Sequence, residues 1–142
     1  MTSQLKVDKL QGRTTAGSIV VTSEGTSVET NLQQGLAKVW IDMSGSGTIS
    51  SRDSLNIASI SDGGTGLYTQ TFTNGFSNRF YGVGGSSADD EEGTDNHSGT
   101  VSTVHRSDTG KSTGFCKIGS GIGGSATRTD AMIYFALFGD LA

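Results

Sequence analysis

A strict alternation of apolar and polar residues between Ala37 and Met43 constrains the fold more than any other feature of the sequence. The apolar positions are Ala37, Val39, Ile41 and Met43, and Lys38, Trp40 and Asp42 lie between them. Successive side chains of a β-strand point to opposite faces of the sheet, so this pattern predicts a strand with one buried face. The glycine-rich segments 44–47 and 62–66 suit turns on either side of further strands.

Similar short runs continue along the rest of the chain. The other predicted strands are 48–51, 54–61, 67–73, 78–83, 101–106, 114–118 and 131–138. Leu55 and Ile57 share one face of their strand while Ile60 is out of phase, which predicts a β-bulge near 58–59. The pattern predicts an all-β fold, an antiparallel β-sandwich or jelly-roll-like domain of about eight strands.

The run from Ala131 to Phe138 is the most apolar in the chain. Near-continuous hydrophobicity in a strand indicates burial on both faces. We therefore expect a central strand, or a strand held between the core and a subunit interface. The residues expected in the core or at a subunit interface are Trp40, Met132, Ile133, Tyr134, Phe135 and Phe138.

Composition favours β-structure and leaves few apolar residues for a core. The chain has 142 residues, 22 of them Gly and none Pro, and 32% are hydrophobic. Glycine costs about 1 kcal/mol against alanine inside a helix, so a helical domain would not use this composition. Because the apolar residues are few for a chain of this length, we expect other subunits to complete the burial.

The charge pattern argues against nucleic acid and membrane partners. The formal net charge is −4, and no basic stripe with interleaved aromatic residues is present. No apolar run approaches the ~20 residues of a membrane span. Lys6 and Asp8 interrupt the only candidate signal-peptide core, so we expect synthesis in a cytoplasm without export or membrane insertion.

Residues 1–35, here called the arm, differ in texture from residues 36–142, which are expected to form the sandwich. The apolar residues expected to dock the arm on a larger particle are Leu5, Val7, Leu10, Ile19, Val20 and Val21. Short strands are predicted at Leu5–Leu10 and Ile19–Val21, and a helical turn within 28–36. The arm has too few apolar residues for a core of its own, so it is either an attachment segment ordered by neighbours or a frayed terminus.

Two glycine motifs imitate nucleotide-binding loops. Residues 119–124 match G-x-G-x-x-G, but a strand-like run follows where a dinucleotide site needs a helix and a later acidic residue. We expect a glycine turn there instead. Residues 110–112 match the end of a phosphate-binding loop, yet His105 stands where the motif requires its first glycine.

No local pattern indicates catalysis or a cofactor. Cys116 lies in the apolar strand predicted at 114–118, so we expect a small buried side chain rather than a nucleophile. His97 and His105 have no partner serine with the flanks of a nucleophile elbow. We therefore expect a protein that is not an enzyme and holds no cofactor.

The most polar segment is a long loop without periodicity. The loop residues expected to face a receptor are Asp89, Asp90, Glu91, Glu92, Asp95, Asn96 and His97. Exposed loops on a rigid scaffold commonly carry recognition. Its carboxylates could bind Ca²⁺, but Gly93 is misplaced for the helix-loop-helix calcium motif and no closing Glu follows. A solvated loop is therefore preferred to a metal site.

The aromatic residues allow two interpretations. The set consists of Trp40, Tyr68, Phe72, Phe76, Phe80 and Tyr81. Aromatic rings pack against the apolar faces of sugars, so these side chains could form a saccharide platform. Alternatively they form a second layer of the core or line a trimer axis, which the position of Trp40 opposite an apolar face favours.

The segment from Lys38 to Phe72 resembles a module common near the C-termini of tail-fibre and other virion structural proteins of tailed bacteriophages. The matching positions are Lys38-Val39-Trp40, Gly45–Thr48, Arg52, Ser54, Asn56, Ser59-Ile60 and Asp62–Thr69. The resemblance extends roughly from residue 36 to the end. The segment LKVDKLQGRTTAG of the arm is similar to the opening of marine-phage fibre proteins, where it resembles the part that docks onto the particle.

The resemblance implies a bacteriophage virion structural protein, and such fibre-type proteins are typically homotrimers. The expected role is a short tail fibre or fibre-tip protein, docked on other virion proteins by its arm, that recognises a host cell-surface glycan or protein. A competing expectation is a capsid decoration protein, of the cement or head-fibre type, whose arm binds the capsid lattice. A lectin-like or hydrolytic domain acting on polysaccharide ranks third, because no motif places a pair of carboxylates.

Overall fold

A computed structural model describes residues 4–13, 19–22, 25, 27–88, 100–104, 109–122 and 127–142. The chain divides into two compact units, Met1–Leu36 and Ala37–Ala142. Both contain antiparallel β-structure, and a single short helix is present among the described residues. Each unit is considered by itself below.

The first unit contains one small hairpin and one turn of helix. Its elements are β1 (Val20–Thr22), β2 (Glu29–Asn31) and α1 (Leu32–Gly35). Asn31 caps the helix, and its side-chain oxygen accepts a hydrogen bond of 3.0 Å from the backbone N–H of Gln34. The short strand and helical turn predicted for this part of the arm are therefore present.

The strand predicted at Leu5–Leu10 is absent, since residues 4–10 contain no strand. Leu5 is 79% exposed, and Val7 and Leu10 are each 55% exposed. Alternating side chains make a strand only where a neighbouring strand takes up the backbone hydrogen bonds, and no strand among the described residues pairs with residues 4–10.

The described residues of the second unit form eight strands in two four-stranded antiparallel sheets. The strands are β3 (Val39–Ser44), β4 (Ser50–Leu55), β5 (Ile57–Asp62), β6 (Leu67–Phe72), β7 (Gly82–Ala88), β8 (Thr100–Val104), β9 (Phe115–Ile122) and β10 (Met132–Phe138). The first sheet has the order β4-β3-β10-β7 and the second the order β5-β6-β9-β8. This is the antiparallel all-β sandwich that the alternation predicts.

Strands β3 and β6 show the predicted alternation of burial. The side chains that face the core are Val39, Ile41 and Met43 from β3, and Tyr68, Gln70 and Phe72 from β6. Gln70 is the polar member of this set. Its Nε2 lies 3.5 Å from the Met43 sulfur, and its Oε1 has no hydrogen-bond partner among the described residues.

Strands β4 and β5 correct the prediction of one continuous strand over 54–61. The chain bends at Asn56, whose φ is +61°, and passes from the first sheet to the second. Leu55 and Ile57 therefore belong to different sheets instead of sharing a face. The predicted β-bulge is confirmed by a register shift between Ile57 and Ser59.

Strand β7 lies later in the sequence than the aromatic run that predicted a strand at 78–83. The segment 78–81 is a bend, while Gly82–Ala88 pairs along its whole length with β10. A strand of glycine and serine carries no apolar period of its own, because its place is set by the backbone bonds to its neighbour.

Strand β9 corrects the first part of the glycine turn predicted at 119–124, because it continues through Gly119 and Gly121 to Ile122. Residues 123–124 lie outside the described part of the chain. A Cβ on Gly121 would lie 2.7 Å from the carbonyl oxygen of Thr127. Glycine in this strand therefore marks a close approach of two backbones rather than a turn.

Strand β10 is central in the first sheet, between β3 and β7, as predicted. Its inward side chains Ile133, Phe135 and Leu137 are buried in the core. The second face is not fully buried within a single chain, because Tyr134 and Phe138 are 38% and 37% exposed, and its burial at a subunit interface stays a prediction. These two side chains point away from the second sheet.

Candidate functional site

The two sheets of the sandwich have outer faces that differ in aromatic content. The outer positions of β5, β6 and β9 carry five polar side chains, Ser59, Ser61, Thr69, Thr71 and Lys117, together with Leu67 and Phe115. The outer positions of β3, β4 and β10 carry three aromatic side chains, Trp40, Tyr134 and Phe138, and also the polar side chains of Asp42, Ser44 and Asp53. Both faces therefore mix polar and apolar groups, and the larger aromatic group lies on the first sheet.

One part of the outer surface of the first sheet is here called the aromatic face. It consists of Trp40, Leu55, Tyr134, Ala136 and Phe138, with Gly82 and Gly84 beside them on β7. The polar residues Asp53 and Ser86 adjoin it, opposite Asp42 and Tyr134. Trp40 is half-buried, and Leu55 is 45% exposed. Large apolar side chains that remain exposed next to one another mark a surface that contacts something.

Register places the small residues of this face between the large ones. Ala136 lies opposite Trp40 on one side and opposite Gly84 on the other. Tyr134 and Phe138 stand on either side of Ala136 along β10. A Cβ on Gly84 would lie 3.9 Å from Phe138 Cε2, so the Phe138 ring extends toward β7. The face is therefore a shallow depression with a floor of Ala136 and Gly84 and aromatic walls.

A polar pair borders the depression. The Arg52 Nε donates a hydrogen bond of 3.0 Å to an Asp42 carboxylate oxygen. The Arg52 Nη2 lies 3.4 Å from the Tyr134 hydroxyl and 3.1 Å from the Met132 sulfur. A register shift of β4 between Asp42 and Met43 lets the guanidinium lie across β3 and β10. The hydrogen bond to Tyr134, followed by the charge of Asp42, raises the pKa of Arg52 above its usual value.

The Asp42–Arg52 pair gives this face both acceptors and donors at a fixed spacing. A carboxylate accepts only, and a guanidinium donates from five N–H groups in a rigid fork. Half of the Arg52 side chain and a third of the Asp42 side chain remain exposed, at 49% and 35%. The pair can therefore bind a ligand that carries neighbouring hydroxyl groups without losing its own hydrogen bond.

The residues predicted at the core or a subunit interface divide between two surfaces. Ile133 and Phe135 point into the core. Met132 lies under the Arg52 guanidinium and is 7% exposed. Trp40, Tyr134 and Phe138 form the aromatic face.

Most of the other aromatic residues belong to the core, which agrees with the interpretation that they form a second layer of it. Tyr68, Phe72, Phe76 and Tyr81 are buried. Phe76 and Tyr81 stack with ring centroids 4.4 Å apart, and Phe72 packs edge-on against Phe76 at 5.5 Å. Phe80 is 80% exposed and lies in the bend before β7.

The docking residues predicted in the arm are all at least partly exposed. Leu5, Val7, Leu10, Val20 and Val21 are more than two-fifths exposed, and Ile19 is half-buried. In the described part of residues 1–36, no large apolar side chain is buried.

Two sets of predicted residues lie outside the described part of the chain. These are the receptor-facing loop (Asp89, Asp90, Glu91, Glu92, Asp95, Asn96 and His97) and His105. The described ranges contain no group of three or more His, Cys, Asp or Glu side chains that could hold a metal ion. They also contain no helix with the length and hydropathy of a membrane-spanning segment.

Cys116 is fully buried, as predicted, and burial raises its pKa to about 11. A thiol that holds its proton at neutral pH is a poor nucleophile. The hydrogen bond with Tyr81 and the charge of Lys111 act in the opposite direction and lower that pKa.

Sequence reasoning missed Arg52, Leu55 and Gly84 as members of a site. The register shift that turns Arg52 over β3, and the bend that keeps Leu55 in the first sheet, are not visible in the alternation of residues. Gly84 lies in a strand that has no apolar period, so the sequence pattern does not mark it. The signal that could have found the face is the near-continuous apolar run of β10 beside Trp40.

Comparison of the chain with protein-family models, with curated proteins and with solved structures finds no match in any of the three.

Proposed function

We propose that this protein is a bacteriophage virion structural protein, a short tail fibre or fibre-tip protein that docks on the particle through its arm. The observation that carries the proposal is the exposure of the apolar arm residues, with Leu5 at 79%, Val7 at 55% and Val21 at 52%. Exposed apolar area costs roughly 25 cal/mol per Å² that a partner could bury, so such a segment is stabilised by a surface of another protein.

The resemblance of residues from 36 onward to the C-terminal module of virion proteins supports the proposal that this partner is another virion protein. A rigid sandwich preceded by a short attachment segment suits a protein anchored at one end and free to recognise the host cell at the other. The chain acts in this proposal as a homotrimer in the assembled virion, and the arm residues contact both neighbouring subunits and the particle.

A capsid decoration protein is the second candidate. The described part of residues 1–36 holds only a hairpin of two three-residue strands and a four-residue helix, without a long shaft. A short arm is sufficient to bind a capsid lattice. The alternative therefore keeps the same docking residues and changes only the particle surface that they contact.

Electron microscopy of labelled virions separates the two candidates. Particles whose genome encodes the chain are treated with a gold-conjugated antibody against residues 37–142. Label at the tail is expected, and label distributed over the head would support decoration instead. Particles that bind no antibody, while the isolated protein does, would contradict the virion proposal.

Variants of the arm test the docking step. The double change Leu5→Glu and Val7→Glu places charge on the exposed apolar residues and is expected to abolish co-sedimentation with particles that lack the native protein. Phe80→Glu is the matched control, because Phe80 is equally exposed but lies in the sandwich unit. Equal binding by both variants would exclude the arm as the docking segment.

A further inference from the structure

We infer that the aromatic face of the first sheet binds a neutral oligosaccharide. The inference deepens the recognition step of the proposed function and rests on it only for the biological role of the sugar. The site is defined by two observations: the aromatic side chains around Ala136 and the Asp42–Arg52 pair at its border.

The apolar half of the site matches the C–H faces of a sugar ring. Tyr134 and Phe138 lie four residues apart on β10, about 13 Å along the strand, and Trp40 lies across from the midpoint between them. The floor between these rings is Ala136 and Gly84, which allows a flat ring to approach the sheet. Rings held on rigid strands lose little conformational freedom when a ligand packs on them.

The polar half of the site matches vicinal hydroxyl groups. Arg52 and Asp42 are held together by a 3.0 Å hydrogen bond, and each keeps a large exposed fraction. A hydroxyl group both donates and accepts, so two adjacent hydroxyls can bind the carboxylate and the guanidinium at once. The Tyr134 hydroxyl, 3.4 Å from Arg52 Nη2, joins the polar and aromatic halves.

The size of the face favours a small ligand over a second copy of the chain. Four strands about 4.8 Å apart and about seven residues long give a surface of roughly 400–500 Å². A stable protein–protein interface needs about 800 Å² on each partner. As a flat footprint, the aromatic face is smaller than the patch that each partner of a stable dimer buries, and a short oligosaccharide fits within it.

The charged pair on the face also favours a saccharide over a protein partner. A protein partner would cover the Asp42–Arg52 pair and remove it from water, which is costly unless new polar partners replace the water. The hydroxyl groups of a saccharide supply such polar partners, and the Asp42–Arg52 pair stays partly exposed to water. The net charge of −4 disfavours a polyanion such as nucleic acid or an acidic polysaccharide.

Trp40 makes the inference directly measurable, because it is the only tryptophan in the chain. The full-length protein is first applied to an array of neutral and acidic bacterial surface oligosaccharides. The best-binding neutral oligosaccharide is then titrated in solution while Trp40 fluorescence is recorded. A saturable change in its emission is expected, since stacking of a sugar ring on the indole alters its surroundings.

Three variants assign the binding to the aromatic face. Trp40→Ala, Tyr134→Ala and Asp42→Asn should each weaken binding, measured by calorimetry, by roughly tenfold or more. Trp40→Phe should restore part of the affinity lost in Trp40→Ala. Phe80→Ala is the control, because it removes an exposed aromatic ring outside the face and should leave the affinity unchanged. If Trp40→Ala does not fold, Asp42→Asn carries the test, since it changes one exposed charge only.

Two results would overturn the inference. One is a protein that binds no neutral oligosaccharide on the array, or binds one with an affinity that the face variants leave unchanged. The other is sedimentation showing that Trp40→Ala and Tyr134→Ala convert an oligomer to monomers, which would make the face a subunit contact. Sugar binding without label on virions would reject the proposed function alone, and label without sugar binding would reject this inference alone.

Discussion

Gly47 and Gly66 have the same left-handed backbone, with φ of +62° and +60°, in different surroundings. A Cβ on Gly47 would meet no atom within 4 Å. A Cβ on Gly66 would collide with the Ser120 carbonyl oxygen and lie 2.7 Å from that of Thr129. The two positions therefore separate the cost of a positive φ from the cost of a close backbone approach.

Replacing each glycine by alanine should give clearly different losses of stability. Gly47→Ala should lower the free energy of unfolding by about 1 kcal/mol through backbone strain alone. Gly66→Ala should lower it by about 3 kcal/mol or more, because β9 and the segment before β10 must move. Urea unfolding of both variants measures the difference, and equal losses would contradict the role assigned to the close approach.

The buried hydroxyl of Tyr68 and the buried thiol of Cys116 should make the free energy of unfolding depend on pH in the alkaline range. Burial, then the hydrogen bond of 2.8 Å to the Asp130 carboxylate, raises the pKa of Tyr68 from 10.0 to about 12. Burial raises the pKa of Cys116 from 9.0 to about 11. The folded protein keeps both protons at pH values where the unfolded chain has lost them, so the stabilisation is complete below about pH 9 and falls between about 9 and 12.

The urea midpoint should therefore be constant from pH 7 to about pH 9 and decrease steadily above it. Cys116→Ala should remove the part of the decrease that begins near pH 9, while leaving the part due to tyrosine. A midpoint that stays level up to pH 12 would show that these groups titrate alike in the folded and unfolded chains.

Among the elements, β3 and β6 could be predicted from the sequence and the bend between β4 and β5 could not. Alternation records which face of a strand is buried, and it is complete in β3. It does not record a change of sheet that takes place within one residue at Asn56. The position of strand β7 could not be predicted for a related reason. Its glycines and serines pair with β10 through the backbone, so the sequence of this strand shows no apolar period.

The site was predictable only in part, because its residues come from four strands, β3, β4, β7 and β10. The near-continuous apolar run of β10 indicates that both faces of this strand contact apolar groups. The sequence alone does not show which of its side chains point outward. Their partners Arg52 and Asp42 meet only through the register shift of β4. Long-range register of this kind depends on packing that a single sequence does not encode locally.

Asn56 holds the bend through its side chain as well as its backbone. Its amide donates to the Asn74 carbonyl oxygen at 2.9 Å and accepts from the Asn74 backbone N–H at 2.7 Å. Asn56→Gly keeps the positive φ but loses these bonds, with an expected loss of about 1–2 kcal/mol. Asn56→Ala loses them and adds backbone strain, for about 1 kcal/mol more.

Asn74→Ala is the control for the bend, because Asn56 bonds mainly to the backbone of Asn74. It should cost about 0.5 kcal/mol or less in thermal or urea unfolding. If Asn56→Ala proved as stable as Asn56→Gly, the left-handed backbone would not be a requirement of the bend.

For the whole molecule, the buried apolar side chains of the described residues all lie at or after Val39. The first unit contributes none of them, although it holds several of the exposed ones. The stability of the sandwich and the docking of the arm should therefore be separable properties.

A chain that lacks residues 1–36 should unfold at a midpoint within about 3 °C of the full-length protein, because its core is intact. The same truncation should abolish co-sedimentation with particles. Circular dichroism during heating checks the first expectation. A large fall in the midpoint would mean that residues 1–36 cover part of the sandwich.

The place of β10 between β3 and β7 has a consequence for how the protein is made. A ribosome completes the middle strand of the first sheet only after every other strand described here, so a nascent chain carries β3 and β7 with their inner edges unpaired. A nonsense mutation shortly before Met132 would release that species permanently. We expect such truncated chains to accumulate as inclusion bodies rather than as a weakened version of the native protein.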